Sequence, residues 1–528
     1  MKSTPTPLYP LDPHAAMSRR SFVTGTASFV AAALISNHAF GATTLNNPTF
    51  AAYPFALGVA SGDPEPDGVV IWTRLAPKPL EGGGMGPESV RVAWQVAEDE
   101  AMARIVRSGT AVANADWAHS VHVEVEGLKP DRWYWYRFRA GTELSPVGRT
   151  RTMPAANTMP ERLRFAVASC QKYEEGYYTA LMHMAREDLD LVLFLGDYIY
   201  EKGTTANSVR PHPTPEVFTL QDYRNRYALY KMDPNLQAAH LMAPWVVTWD
   251  DHEVFNNYAN DIHQFPADNP RETFLKRRAA AYQAYYEHQP LRRRNLPKGP
   301  NMKIYRTISA GRLAAFNVLD TRQYRTDQPQ GDGAKPFDPV LLDPKGTLLG
   351  KPQRDWLYKT LDRSPTSWNV LAQQVMMQPN GRGTPPVFSM DQWTGYEYER
   401  RAVLSRLRDA KIRNPVVLAG DIHSNWGNAL TADFDRPDGA TVAPEFVCTS
   451  ISSGGDGTNQ PPGIDRMYAA NPGVRYFNNE RGYLRCEVTP EQWRTDYRTV
   501  EYVSRPGAPI QTRRTLVVES GRPTPQVV

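Results

Sequence analysis

The sequence predicts an α/β fold, a layered β-sandwich flanked by helices, carried behind a smaller all-β sandwich. Three observations predict it. Residues 163–201 read as one β-α-β unit, strand-like apolar runs recur between helix-like stretches as far as residue 419, and short β-rich runs separated by turns fill 55–152. Parallel strands of this kind place ligands at their carboxyl ends, where the chain carries Cys170 and then Asp197.

Residues 1–42 read as a targeting segment. Ser18-Arg19-Arg20-Ser21-Phe22 resembles the twin-arginine export motif, followed by the weakly apolar run Phe22 to Ile35 and small residues near Ala39 to Ala42. That run is shorter than the roughly 20 apolar residues a membrane span needs. The resemblance implies the twin-arginine export machinery as a partner, a periplasmic or secreted location, and no transmembrane anchor after processing.

The segment 50–152 holds the β-rich runs 68–73, 90–96, 120–125 and 132–139, a small sandwich pattern. The run GLKPDRWYWY over 127–136 resembles the strand entry of fibronectin type III and related Ig-like sandwiches, where a tyrosine bonds back to the preceding corner. Two prolines and no periodicity over 150–160 mark a boundary, so a second domain is expected over 160–528. Its opening unit comprises Phe165 to Ala168, the Pro- and Gly-free stretch Tyr177 to Arg186, and Leu189 to Leu195. Thr204 to Glu216 is polar and Pro-containing, a loop placed to act as a lid. Helices are expected at Leu220–Tyr230, Arg271–His288, Gln353–Leu361 and Tyr396–Ala410. Further strands are expected at Trp245–Trp249, Leu313–Leu319, Asn369–Val375 and Val416–Ala419, while the pattern fades after about residue 425.

A formal net charge of +4 gives no sign of a polyanion-binding surface, so no stable nucleic-acid complex is expected. Three cysteines make no disulfide scaffold: Cys448 and Cys486 lie in β-like runs, to be paired or, preferably, buried as apolar fillers.

Four apolar runs end in candidate ligands. They are SCQ at 169–171, GDYIY at 196–200, WDDHE at 249–253 and GDIH at 420–423. One acidic residue at a strand end is usually a cap, but four such ends in one α/β domain are hard to explain by capping alone.

The order of these motifs resembles the calcineurin-like metallophosphoesterases, and more closely the PhoD-type alkaline phosphatases. ASGDP at 60–64, ASCQ at 168–171, GDYIYE at 196–201, WDDHE at 249–253, LDTRQY at 319–324 and AGDIH at 419–423 carry the resemblance, which runs from about residue 50 to 500. It implies a metallophosphoesterase-type catalytic domain and a secreted alkaline phosphatase holding one Fe³⁺ and two Ca²⁺. Relative to the broader superfamily, Cys170 stands near a missing Asp-x-His, Tyr200 replaces an Asp, Asp251 an Asn and Asp421 a His. The site becomes more anionic. Thiolate and phenolate favour Fe³⁺, and clustered carboxylates suit Ca²⁺.

Carried over residue by residue, the resemblance assigns Cys170, Asp197, Tyr200 and His423 to iron, with Asp197 bridging and Asp251 and Asp421 on the calcium side. Asp250 is a ligand or a loop cap. His252 touches phosphate and protonates the leaving oxygen, and Arg322 holds phosphate or forms a structural ion pair. The implied reaction is attack of metal-bound hydroxide on small phosphate monoesters, and on diesters too, with release of phosphate. Two other readings compete: a phospholipase D-type phosphodiesterase, favoured by an apolar rim around 201–243, and a metal-stabilised surface-binding protein without activity.

Overall fold

Along the strand Leu163–Ala168, Leu163, Phe165 and Val167 enter one core while Ala166 and Ala168 enter another, so both faces are buried. The same division holds in Leu191–Leu195, with Leu191, Leu193 and Leu195 opposite Val192 and Phe194. These strands therefore read as continuous apolar runs. The computed structural model describes residues 44–206, 208–433 and 439–528; the expected targeting segment lies outside the described residues.

Leu163–Ala168, Leu191–Leu195 and Trp245–Thr248 pair in parallel within a ten-stranded sheet. A seven-stranded sheet contains Ala314–Val318, Trp368–Ala372, Pro415–Ala419 and Thr441–Val447, also parallel. Phe316, Val370, Val416 and Phe446 meet Phe165, Leu193 and Trp493 in the core between the sheets. The helices Leu220–Lys231 and Arg271–His288 cover the outer face of the first sheet, supplying Tyr227, Ala281 and Tyr285 to its core. Gly350–Arg363 and Glu397–Asp409 cover the second through Leu357, Leu361, Val403 and Leu407. Truncating a residue as enclosed as Leu193 should cost about 2–5 kcal/mol. The layered α/β sandwich expected from the sequence is the fold observed.

The N-terminal β-rich segment forms a sandwich whose core gathers Val69, Ile71, Val92, Val96, Val123 and Tyr136. One of its sheets has six strands. The other side is formed by Val59–Glu65, Gly68–Arg74 and Ser120–Val125, which continue the ten-stranded sheet beyond Trp245–Thr248. At the corner over 127–136, the Tyr134 hydroxyl accepts the Lys129 N–H at 3.0 Å. Buried Asp63 accepts from Arg306 Nε at 2.9 Å, tying the first strand to the far layer.

The helices expected at 220–230, 271–288, 353–361 and 396–410 are present, the second with the expected bounds. Thr219 caps Leu220–Lys231 reciprocally with Asp222: its hydroxyl accepts the Asp222 N–H at 3.2 Å, and the carboxylate accepts the Thr219 N–H at 2.8 Å. Residues 425–527, where the pattern fades, contain seven of the described strands, from Asn425–Thr431 to Arg522–Val527. Cys448 and Cys486 are buried and free, so the filler reading holds. Among the described residues no helix is long and apolar enough to cross a membrane.

Candidate metal centre

The carboxyl ends of parallel strands from both sheets meet at one rim, and sharp turns there redirect the chain. Cys170, Asp197, Asp421 and His423 have φ of 59°, 57°, 66° and 54°, a left-handed conformation that non-glycine residues seldom adopt. Such strain, of order 1–3 kcal/mol per residue, persists where the surroundings over-determine it and gathers at functional sites. Two glycines permit the turns. A Cβ on Gly196, whose φ is 109°, would lie 2.5 Å from Asp250 Cβ, and one on Gly420 would lie 2.4 Å from Ser169 Oγ.

The turns bring the candidate ligands together. Donor atoms of Cys170, Asp197 and His423 lie within 4.8 Å of one another, as do those of Asp197, Asp251 and His252, and those of Asp250, Asp251 and Asp421. The groups overlap at Asp197 and Asp251. Tyr200 joins the first: its hydroxyl donates to Asp197 Oδ2 at 2.8 Å, lies 3.1 Å from His423 Nε2, and accepts from Ser453 Oγ at 2.7 Å. Tyr198 points away, its hydroxyl 2.8 Å from His240 Nε2.

A supporting layer fixes these groups. Glu253 accepts the backbone N–H groups of Asp197, Tyr198 and Asp250 at 3.1, 2.6 and 2.8 Å, locking two loops together. Glu201 Oε2 sits 2.7 Å from His252 Nδ1, leaving free the Nε2 of a ring that lies tilted against Tyr200, 4.1 Å between centroids. Arg481 Nη1 donates to the carbonyls of His423 and Ser453 at 2.6 and 2.8 Å. The Arg322 guanidinium is wholly buried. It grips Asp391 bidentately at 2.8 Å, binds Asp250 through Nε, and stands 3.6 Å from both Asp251 and Asp421.

The site's acids are crowded without enough positive charge. Burial, with Asp197 beside it, pushes the Cys170 thiol well up, and burial together with Asp197 and Cys170 does the same to the Tyr200 phenol. Burial also raises Asp197, reinforced by Asp250, Asp251 and Glu253 against His252. Asp421 is raised by burial and Asp250. Asp251 is held well below the carboxylate range, burial being outweighed by Arg322 and His252. Buried and without a hydrogen-bond partner are Asp197 Oδ1 and Asp250 Oδ2. Thiol, phenol, imidazole and orphaned carboxylate oxygens converging in this way fit metal cations, which would supply the missing charge.

The sequence brought Cys170, Asp197, Tyr200, Asp251, His252, Asp421 and His423 forward as one site, and all lie in it. Ser453 and Arg481 carry no signal in the sequence, since neither lies in a ligand motif. Glu201 and Glu253 lie inside the GDYIYE and WDDHE motifs, but their roles depend on loops far apart in sequence.

A layered α/β sandwich with overlapping groups of potential metal ligands at its strand ends is the class of site in which bound cations can act on a phosphoryl group. The chain belongs to the PhoD-like phosphatase family: the model of that family matches residues 165–497, and the model of its N-terminal domain matches 41–154. Over 511 residues it is 51% identical to alkaline phosphatase D of Bacillus subtilis (strain 168), covering 95% of this chain and 87% of that protein. The solved structure described as PhoD superposes with a TM-score of 0.89 at 51% identity, covering 91% of this chain and 93% of that one.

Proposed function

We propose that this protein hydrolyses small phosphate esters, monoesters first and diesters as well, at the Cys170–His423 rim. The observation that carries the reading is the run of three overlapping ligand groups, with orphaned carboxylate oxygens, in a PhoD-like phosphatase. Cys170, Asp197, Tyr200 and His423 suit Fe³⁺, Asp197 being shared with its neighbour, and Asp251 and Asp421, with Asp250 beside them, suit two Ca²⁺. When bound, such ions neutralise charge on a phosphoryl group and make water a stronger acid.

The remaining work belongs to the chain. Glu201 orients His252 through Nδ1, so that Nε2 delivers a proton to the departing ester oxygen. Arg322 acts through the carboxylates rather than on phosphate, because its nitrogens are engaged by Asp250 and Asp391; it holds Asp250, Asp251 and Asp421 in place. Among the described residues of 201–243, the large exposed hydrophobics are Phe218 and Met232, which form no broad rim for lipid, so the phosphatase reading is favoured over phospholipase D. Export through the twin-arginine pathway completes the proposal, placing the enzyme in the periplasm or outside the cell.

Metal analysis alongside a panel of phosphomonoesters, phosphodiesters and phosphatidylcholine tests the reading. Iron and calcium with turnover of mono- and diesters support it; preference for phosphatidylcholine, or zinc alone, overturns it. Arg19→Lys with Arg20→Lys should leave precursor in the cytoplasm, and unchanged release of mature protein removes the export claim.

A further inference from the structure

Beside the candidate metal centre a groove of about 1090 Å³ opens, walled by His423 and its neighbours. A smaller cavity of about 260 Å³ shares Asn380, Arg382, Ile422 and His423 with it and reaches Asp421. The groove is thus continuous with the ligands. Drug-sized molecules occupy pockets of roughly 300–1,000 Å³, so this space is far larger than a phosphoryl group or a two-carbon alcohol requires.

Its chemistry contrasts with that of the rim. Ile422, Met467 and Phe477 are half-buried against the small apolar cluster around Trp426 and supply a hydrophobic wall. Arg382 and Arg466 are exposed along it, and Arg481 is buried at its inner end. Among the described residues lining the groove there is no Asp or Glu. An acid-rich centre therefore gives directly onto a positively charged, partly apolar channel, an arrangement that draws anions inward. Ile422 and His423 line both cavities, so the apolar wall of the groove begins next to a candidate ligand.

Resting on the hydrolase reading, we propose that this groove binds the leaving group and selects phosphate esters whose alcohol has an apolar body ending in an anionic group. Trp426 and its neighbours support the wall. Arg382 and Arg466 receive the terminal anion at the outer end.

The test compares ethyl phosphate, phenyl phosphate and phenyl phosphate carrying a para-propanoate chain, using the metal-loaded enzyme. Expected kcat/KM rises in that order. Arg382→Ala and Arg466→Ala should each raise KM for the propanoate ester about threefold, as removal of a solvent-exposed ion pair does, and narrow its lead over phenyl phosphate. Arg382→Lys should recover most of that lead. Phe477→Ala should shrink the lead of phenyl over ethyl phosphate, and Lys359→Ala, on the exposed side of a distant helix, serves as control. Equal kcat/KM for the three esters, or Arg variants that slow all three alike, overturns the proposal. Calorimetric binding of the free para-hydroxyphenylpropanoate separates the two readings. If no ester is cleaved but this alcohol binds and Arg382→Ala weakens it, the hydrolase reading falls and the groove stands; if it does not bind, the groove assignment falls.

Discussion

At the scale of single residues, Asp197 is the most exacting position. Its carboxylate belongs to two ligand groups and one of its oxygens has no partner within the protein. Loss of an outer partner of a metal ligand typically lowers affinity or activity by 10–100-fold, so Asp197→Asn should exceed about a hundredfold in rate and reduce metal content, with the fold kept. Near wild-type turnover at full metal occupancy would remove Asp197 from the centre. Tyr200 gives a spectroscopic test. Phenolate on Fe³⁺ absorbs in the visible through charge transfer, whereas Zn²⁺ and Ca²⁺ complexes do not, so the purified protein should be coloured. Tyr200→Phe should lose the band and most activity, while Tyr198→Phe, whose hydroxyl meets His240, keeps both. A Tyr200→Phe protein that retains iron and colour contradicts the assignment. Such residues were legible because each follows an apolar run that ends abruptly in a polar side chain. Ser453 and Arg481 were not: a serine after a β-like run and an arginine opening a strand are ordinary until their partners, Tyr200 and His423, are in place.

At the scale of elements, the decisive feature is the close approach of two neighbouring strand ends. Gly196 lets the loop after Leu191–Leu195 pass against Asp250 at the end of Trp245–Thr248, and Glu253 then clamps both loops by their N–H groups. Gly196→Ala forces a Cβ against Asp250 at φ 109°, a strain of about 1–3 kcal/mol before any clash is counted. The denaturation midpoint and the metal content should fall together. Unchanged values would show that the loops tolerate separation. Periodicity revealed the helices, whose buried faces repeat every three or four residues, and the parallel strands, whose runs are almost wholly apolar. It failed on the C-terminal strands because, apart from the parallel pairing of Thr441–Val447 with Pro415–Ala419, these are antiparallel and mix charged residues into the pairing, as Arg485 does opposite Asp496.

At the scale of the whole molecule, the two layered regions share strands as well as surfaces, and Lys231 lies where they join. This lysine is almost fully buried, 4.3 Å from the Trp72 ring, and burial brings its pKa down to about 7. Tyr198, His240 and His288 are the titratable groups facing it, and none of these offers a negative charge at neutral pH. The folded-state pKa is depressed below 10.5, so the unfolded chain binds the extra proton between about 7 and 10.5, and stability should rise with pH across that window. Lys231→Met should flatten this slope and stabilise the protein by on the order of 3 kcal/mol near pH 7. An unaltered slope in denaturation measured from pH 7 to 10 would show that the ammonium is solvated. The ten-stranded sheet has a further consequence, for timing during synthesis. Leu163–Ala168, the strand that delivers Cys170, has Arg481–Val488 as one of its two neighbours; Arg164 and its partner Glu487 are 323 residues apart. A ribosome must therefore release the chain past Val488 before that strand is enclosed, and contacts this distant in sequence form slowly. Nascent chains present an open strand edge until then, so the proposed metal centre is completed late, once Arg481–Val488 has arrived.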